Sequence, residues 1–198
     1  MRGHEYVRAT LRDHLAATVP ARLAAIRAAL EVATPANPPA GAYLLADGLP
    51  TDPALYPCVV VMSTGSPTMR RQSVIASGDA GDYVVGYSLT IVVGCRTDTA
   101  GGEEMASRDR DRLMLAVREA VLGRGSFPAD FELLTQDISE ETGAAAQDLR
   151  GRPLAAGQIS LGAAVLETLE PISAPDDLEE TEIDVAAYAA STTTIPPN

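Results

Sequence analysis

The sequence predicts an α/β domain of the α+β type, in which a mixed, mostly antiparallel sheet of four or five strands is flanked by two helices. The main observation is the segment at residues 81–96, GDYVVGYSLTIVVGCR, which is rich in β-branched residues and carries no charge between Asp82 and Arg96. A stretch with helical apolar spacing precedes this strand, and a helix that begins with two acids follows it. We therefore expect the strand to be the central member of the sheet. One of its faces would carry Val85, Tyr87, Leu89, Ile91, Val93 and Cys95.

The N-terminal segment, from about residue 5 to residue 32, predicts an amphipathic helix or a pair of helices. Pro20 bears on this choice, because a proline inside a helix removes a hydrogen bond and clashes with the preceding turn, whereas the first helical position accepts it. We therefore expect a break or kink near Thr18 and Val19. The apolar positions recur every three or four residues: Val7, Leu11, Leu15, Val19, Leu23, Ile26 and Leu30.

Residues 33–57 form a proline-rich loop. Because a compact domain rarely keeps so long an irregular stretch, the loop either wraps over the core as a connector or reaches a neighbouring subunit. Tyr43, with Leu44 and Leu45, is expected to anchor it.

A β-hairpin is predicted to lead into the long strand. Residues 58–62, CVVVM, are uninterrupted apolar and predict a short central strand that is covered on both faces. A polar loop at residues 63–71 and a second strand near residues 72–77 are expected next, and the turn GDAGD then folds the chain back. Arg70 and Arg71 would lie at the open end of this hairpin, with Asp79 and Asp82 in its turn.

The second helix is predicted at about residues 103–122. Glu103 and Glu104 suit the positive end of its dipole, and Gly123 and Gly125 end it. Its run RDRDR at residues 108–112 looks like a phosphate site. We favour a solvated face with local ion pairs, because the two acids cancel most of the positive charge.

Two more strands, at residues 131–138 and 156–167, are expected to pair and complete the sheet, with the polar residues 139–152 between them. Residues 1–171 are thus one domain. Residues 172–198 predict an acidic, extended C-terminal arm, because this segment has few large hydrophobic residues and no basic one. Its Ile183, Val185 and Tyr188 can insert into a groove of a partner or add along a sheet edge.

The charge balance limits the partners of the protein. All 15 basic residues are arginines, and 27 acids give a net charge of −12, so unassisted binding to nucleic acid is not expected. No apolar run approaches the roughly 18–20 residues of a membrane span, and no signal peptide is visible. Cys58 and Cys95 each lie in an apolar run, which favours buried free thiols over a disulfide.

A search for catalytic patterns finds little. Without lysine there is no P-loop lysine and no Schiff base, and His4 and His14 fall short of a zinc site. The paired carboxylates stand in polar runs without an apolar pocket. We therefore expect no catalytic, cofactor-binding or metal-binding residue, no cofactor and no enzymatic activity.

The order of elements resembles a known family. An N-terminal amphipathic helix, a loop into YPCVVVMS, a hairpin ending in DYVVGYSLTIVVGCR, the helix DRDRLMLAVREAVL and a last strand are similar to the tail terminator proteins of long-tailed bacteriophages and the related head–tail neck proteins. The resemblance covers about residues 5–171 and rests on the order of the elements and on the pattern of hydrophobic residues. The long proline-rich loop and the acidic arm depart from the family.

The resemblance implies a structural virion protein. Members of the family have helices flanking a mixed or antiparallel sheet, and form hexameric rings that cap the tail tube and offer a docking face to the head. The implied partners are other copies of the chain, the tail tube protein and a head-side neck protein, in the tail or neck of a virion assembled in the host cytoplasm, with DNA passing through without specific binding. A head-side neck or completion protein is the alternative within the family, and a small α/β ligand-binding module or enzyme is the alternative outside it. The expected contacts between subunits are Arg70, Arg71, Asp79, Asp82, Tyr43, Ile183, Val185 and Tyr188.

Overall fold

A computed structural model of the 198-residue chain describes residues 3–71, 81–97, 102–123, 127–143, 146–147 and 152–169. Its helices and strands are α1 (Gly3–Leu30), β1 (Tyr43–Leu44), β2 (Cys58–Arg71), β3 (Gly81–Arg96), α2 (Glu103–Leu122), β4 (Phe131–Thr142), β5 (Ala146–Gln147) and β6 (Pro153–Leu169).

The six strands form one sheet in the order β1-β2-β3-β6-β4, and β5 pairs with the start of β6. β1 runs parallel to β2, and all other pairs are antiparallel. The predicted α+β class with a mixed, mostly antiparallel sheet is therefore confirmed. β3 lies in the middle of the order, as its uncharged alternating sequence predicts. The sheet has more strands than expected because two short strands, β1 and β5, extend it.

The first helix is continuous, so the break expected near Thr18 and Val19 is wrong, while the alternative of a kink there stays a prediction. α1 runs from Gly3 to Leu30 with Pro20 inside it. The residues before and after the proline, including Val19 and Leu23, keep one buried face along the whole helix. Packing of this face against the sheet compensates for the backbone hydrogen bond that the proline cannot make.

The segment predicted as a polar loop at residues 63–71 belongs to β2. Its residues pair with β3 through Arg70 opposite Val84 and Arg71 opposite Tyr83, so the two arginines lie beside the closing turn of the hairpin and not at its open end. The side chains of residues 64–70 are exposed, which explains their polar composition. The strand predicted near residues 72–77 lies outside the described residues.

The strands β2 and β4, on either side of the central pair, both bulge at about the same level of the sheet. The register of β2 shifts between Thr64 and Thr68, and that of β4 between Leu134 and Ser139. Bulges of this kind bend a strand and increase its twist. Both bulges flank the level at which Ser88 of β3 pairs with Gly162 of β6.

Both helices pack on one face of the sheet, and the core lies between these two layers. The central side chains of this core come from the face of β3 that carries Leu89 and Ile91, together with Leu11 of α1 and Leu113 of α2. α2 begins at Glu103 and its carboxyl end is capped by Gly123, as predicted. Neither helix among the described residues has the length and apolar character that a membrane span needs.

The proline-rich loop covers part of the opposite face of the sheet. Leu49, Leu55 and Tyr56 of the loop pack over Cys58 and Val60 of β2, which are fully buried. The Tyr56 hydroxyl donates a hydrogen bond to the Pro50 carbonyl at 2.8 Å and closes the loop on itself. The run at residues 58–62 is therefore covered on both sides at its start, as its apolar sequence predicts.

Candidate interaction surfaces

The hairpin end of the sheet consists of residues 68–71 of β2, 81–86 of β3 and 164–169 of β6. Arg70, Val84 and Leu166 lie side by side across it. Arg70 is exposed and Leu166 is 42% exposed, so an apolar patch beside a cation faces solvent here. The backbone of Arg71 is part of β2, while its side chain lies outside the described part of the chain.

Asp82 lies at the same end of the sheet as Arg70. Its carboxylate accepts a hydrogen bond from the Thr168 hydroxyl at 2.7 Å, so the side chain is held within the subunit. The remaining expected contacts, Asp79 of the turn and Ile183, Val185 and Tyr188 of the arm, lie outside the described residues.

Tyr43 anchors the proline-rich loop in the core of its own subunit. It pairs with Val59 across the β1–β2 ladder and is only 8% exposed. Its hydroxyl is buried and has no hydrogen-bond partner among the described residues, and burial raises the pKa of Tyr43 to about 12. A contact between this loop and a neighbouring subunit therefore has to use residues around Tyr43.

The part of the sheet that neither the helices nor the loop covers is a second candidate surface, which we name the open face. It consists of small and hydroxyl side chains on two adjacent strands: Gly86 and Ser88 of β3, and Ser160, Gly162 and Ala164 of β6, beside the buried Thr90 of β3. The register places each β3 residue directly opposite one of these β6 residues. The surface is therefore shallow, and the backbone of the sheet lies close beneath it.

A depression of about 320 Å³ lies on the open face at the level of the two bulges. It is lined by Thr64 of β2, Ser88 of β3, Leu134 of β4, and Ser160 and Gly162 of β6, together with Leu89 and Leu161. Its walls combine hydroxyl groups and leucine methyl groups without a charge. A neutral, shallow depression of this kind is suited to an inserted apolar or hydroxyl side chain of another protein surface.

The open face carries no sequence motif that assigns it a role. The signal was present in the alternation of β3, where the positions facing away from the large apolar set are Gly86, Ser88 and Thr90. An edge or solvated strand face commonly carries long polar or charged residues. Small side chains on the central two strands instead permit close approach of a second surface.

A buried carboxylate lies where the helix layer meets the hairpin end. Glu167 of β6 is 3% exposed, and its Oε1 accepts hydrogen bonds from the Tyr87 hydroxyl at 3.0 Å and from the Gly3 amide at 3.4 Å. Burial is the larger cause and the neighbouring Glu167 carboxylate the smaller one of a rise in the pKa of Tyr87 to about 12. Because Gly3 is the first residue of α1, Glu167 ties the amino end of this helix to β6.

The two histidines occupy structural positions. His4 Nδ1 is 2.5 Å from the Ser63 hydroxyl, and its ring packs edge-on against Tyr87. His14 Nε2 is 3.1 Å from the Ala120 carbonyl, and its ring packs against Phe127. A Ser–His–carboxylate triad needs a carboxylate that orients the imidazole. The hydrogen bonds of the described residues bring no carboxylate to His4.

The RDRDR run is more firmly bound to the fold than a solvated face. Arg110 is only 8% exposed and donates hydrogen bonds to the Gly143 carbonyl at 2.6 Å and to Asp111 at 2.9 Å. Arg112 donates to the Ala33 carbonyl. The interpretation as a solvated face is therefore wrong for Arg110, because the Gly143 carbonyl and the adjacent acid satisfy its guanidinium. The expected local ion pair is present between Arg110 and Asp111, at 2.7 Å.

The remaining charges of this run also argue against a phosphate site. A depression of about 410 Å³ along α2 is lined by Arg108 and Arg112 and by the acids Glu104 and Asp111, together with Ser107 and Leu115. Two carboxylates thus oppose two guanidinium groups. An anion would meet as much negative as positive formal charge at this surface.

The two cysteines are free and buried, as predicted. Cys58 lies opposite Gly94, so the neighbouring Cys95 projects to the other face of the sheet. Burial raises the pKa of Cys58 to about 12, and it raises that of Cys95 still further. Both thiols are therefore protonated and shielded at neutral pH.

Among the residues that the structure describes, no three His, Cys, Asp or Glu side chains are grouped so that they could hold a metal ion. No protein-family model matches the chain, and a search of curated proteins finds no similar sequence.

Proposed function

We propose that the protein is a structural subunit of a tail terminator ring, which closes the tail tube of a long-tailed bacteriophage and offers a docking face to the head. The observation that carries the proposal is the open face. It is a shallow, neutral surface of small and hydroxyl side chains on the two central strands of a rigid sheet, while both helices cover the other side.

The architecture supports this role in two ways. First, the order of helix, loop, hairpin, helix and final strand is the order on which the resemblance to the family rests. Second, a subunit of a closed ring needs two different surfaces that meet head to tail, and the two faces of this sheet differ strongly in shape and composition. In the proposed ring, the open face of one subunit is buried against its neighbour.

The charge of the chain supports passage of DNA through such a ring without binding. The net charge is −12, and no lysine is present. A channel with an excess of carboxylates repels phosphates, so a duplex can pass through it without strong binding. The expected hexameric state and the expected partners, the tail tube protein and a head-side neck protein, belong to this proposal.

The proposal is tested by placing a charge on the open face. In Ser88→Arg, an exposed residue at the centre of this face gains a long cation. The matched control is Leu122→Arg, which adds the same charge at a 54% exposed position on the helix layer. Both variants are purified as full chains and compared with the wild type by native mass spectrometry and electron microscopy, alone and with tubes assembled from the tail tube protein.

We expect sixfold rings, or caps on the tube ends, for the wild type and the control, and none for Ser88→Arg. A wild-type protein that stays monomeric with and without tubes would contradict the ring. Rings that form equally well in Ser88→Arg would leave the ring intact but refute the open face as its interface. Binding to the head-side connector without any binding to tubes would identify a neck protein instead.

A further inference from the structure

The second half of α1 presents an unusual outer surface. From residue 16 to residue 30 its exposed side chains are mainly methyl groups, and we name this surface the alanine face. At its end, Leu30 is 59% exposed. The exposed alanines are Ala16, Ala17, Ala21, Ala24, Ala25, Ala28 and Ala29.

The charges on the alanine face all have one sign. Arg22 and Arg27 are both exposed, and no acid occurs between Asp13 and Glu31. The carboxylate of Asp13 is already bound to Arg12 at 2.7 Å. By contrast, α2 carries five acids among its residues. In a chain with a strong excess of acids, the alanine face is therefore a cationic, apolar surface.

The C-terminal arm has the complementary composition. Its apolar side chains, which include Leu178, Val185 and Tyr188, alternate with acids, and no basic residue occurs after Arg152. The acids of the arm are Asp176, Asp177, Glu179, Glu180, Glu182 and Asp184. Such a segment is repelled by most of an acidic body, whereas the alanine face offers methyl groups to its apolar residues and two guanidinium groups to its carboxylates.

The end of β6 brings the arm within reach of this surface. Glu167 accepts a hydrogen bond from the amide of Gly3, so β6 ends beside the start of α1. The alanine face begins about 20 Å and ends about 40 Å further along the helix, at 1.5 Å per residue. The nine residue-to-residue steps from Leu169 to Leu178 can span about 30 Å, so the acidic part of the arm reaches the face within one subunit.

We propose that residues 176–188 of the arm dock on the alanine face of their own subunit before assembly. The docked arm covers the exposed methyl groups of α1 and neutralises Arg22 and Arg27. Because the arm is tethered, its effective concentration at the face is of millimolar order, so even weak contacts hold it there. This inference concerns the free subunit and does not depend on the proposed ring.

The test measures how well the arm shields α1 in the full chain. Ala25→Cys places a thiol in the middle of the alanine face, while the native Cys58 and Cys95 are 0% and 2% exposed and give little background. The rate of maleimide labelling is measured at pH 7 in low salt. The same thiol is then measured in a chain whose arm carries Glu179→Gln, Glu180→Gln and Glu182→Gln.

We expect the thiol to react about tenfold faster in the chain with the three arm substitutions, as for a face that the native arm covers about nine-tenths of the time. Addition of 0.5 M salt to the native chain should give a similar increase, at roughly a 4 Å screening length. The matched control neutralises three exposed acids of the body, Glu103, Glu104 and Glu132, and should leave the labelling rate unchanged.

Equal labelling rates with the native arm and with the substituted arm would overturn the proposal. An increase in the control as large as that in the arm variant would also overturn it, because general charge would then be the cause. Shielding that disappears on dilution of the protein would place the arm of a second copy on the face and refute docking within one subunit. None of these outcomes depends on whether rings form.

Discussion

Gly94 of β3 is a position at which a single added methyl group should disturb the fold. An added Cβ would lie 2.8 Å from Leu49 Cδ2, 2.9 Å from Tyr56 Cε1 and 2.9 Å from Cys58 Sγ. Two of these atoms belong to the proline-rich loop and the third to β2. Gly94→Ala therefore pushes the loop away from the sheet at the point where the two layers are closest.

The expected cost follows from two opposing effects. Overpacking of a well-filled core costs about 1–3 kcal/mol. Alanine in place of glycine restricts the unfolded chain and returns about 0.4–1 kcal/mol. The net loss in the free energy of unfolding should therefore lie between about 0 and 2.6 kcal/mol, and each kcal/mol lowers the melting temperature of a domain of this size by about 2–4 °C.

The assay combines thermal unfolding with thiol labelling. Because Leu49 and Tyr56 cover Cys58, displacement of the loop should expose this thiol and speed its reaction, while Cys95 on the other face stays protected and serves as an internal control. Gly48→Ala, in the same loop, is the matched variant, since an added Cβ there meets nothing within 4 Å. If Gly94→Ala melted like Gly48→Ala and kept Cys58 protected, the close packing of the loop on Gly94 would be refuted.

Further substitutions test the buried hydroxyls and the first helix. Tyr87→Phe removes the hydroxyl that donates to the buried Glu167 and should lower the free energy of unfolding by about 1.5–3 kcal/mol, measured by urea unfolding. Tyr43→Phe deletes a buried hydroxyl that has no partner among the described residues, and should leave the stability unchanged or raise it by about 1 kcal/mol. Reversed signs would refute these assignments. The pKa of Tyr87 is raised from 10.0 to about 12, so its contribution to stability is full below pH 10 and is lost between pH 10 and pH 12. In Tyr87→Phe the free energy of unfolding should therefore depend less on pH in that window. Glu31→Gly should stabilise by about 1 kcal/mol in thermal unfolding, because Glu31 has φ 51 after the end of α1; a loss of stability would contradict this. Pro20→Ala restores a backbone donor inside α1 and should stabilise by up to about 3 kcal/mol; no gain in urea unfolding would show that the helix is already fitted to its proline.

The elements with strong periodicity could be predicted from the sequence. The alternation of β3 identified its core face, and the acids and glycines around α2 gave its two ends, because these signals are local. Pro20 led to the wrong expectation of a break in α1, because the buried face of the helix extends to both sides of the proline and tertiary packing holds it there. The strand at residues 63–71 could not be predicted either, because exposed residues at the edge of a sheet have the composition of a loop.

The candidate surfaces were only partly accessible to sequence reasoning. Tyr43 was expected as an anchor and is buried, but its direction into the core follows from a two-residue pairing with β2 that carries no sequence signal. The place of Arg70 depends on the register of the hairpin. Arg110 is buried because a carbonyl at Gly143, distant along the chain, accepts its hydrogen bond. The open face follows from which strands are neighbours, and that order can be read only from the fold.

The paired bulges also affect how copies of this chain can assemble. The outer edge of β2 is interrupted at Gly65 and Pro67, and the Arg8 side chain of α1 occupies its Val61 carbonyl. The other outer strand, β4, is broken at its own bulge. In the part of the chain that the structure describes, neither edge offers the long, regular row of free amides and carbonyls on which strands of separate molecules add without limit. This arrangement disfavours edge-to-edge pairing, which continues into a fibre, relative to contact through faces, whose fixed shape can stop assembly at a defined number of copies.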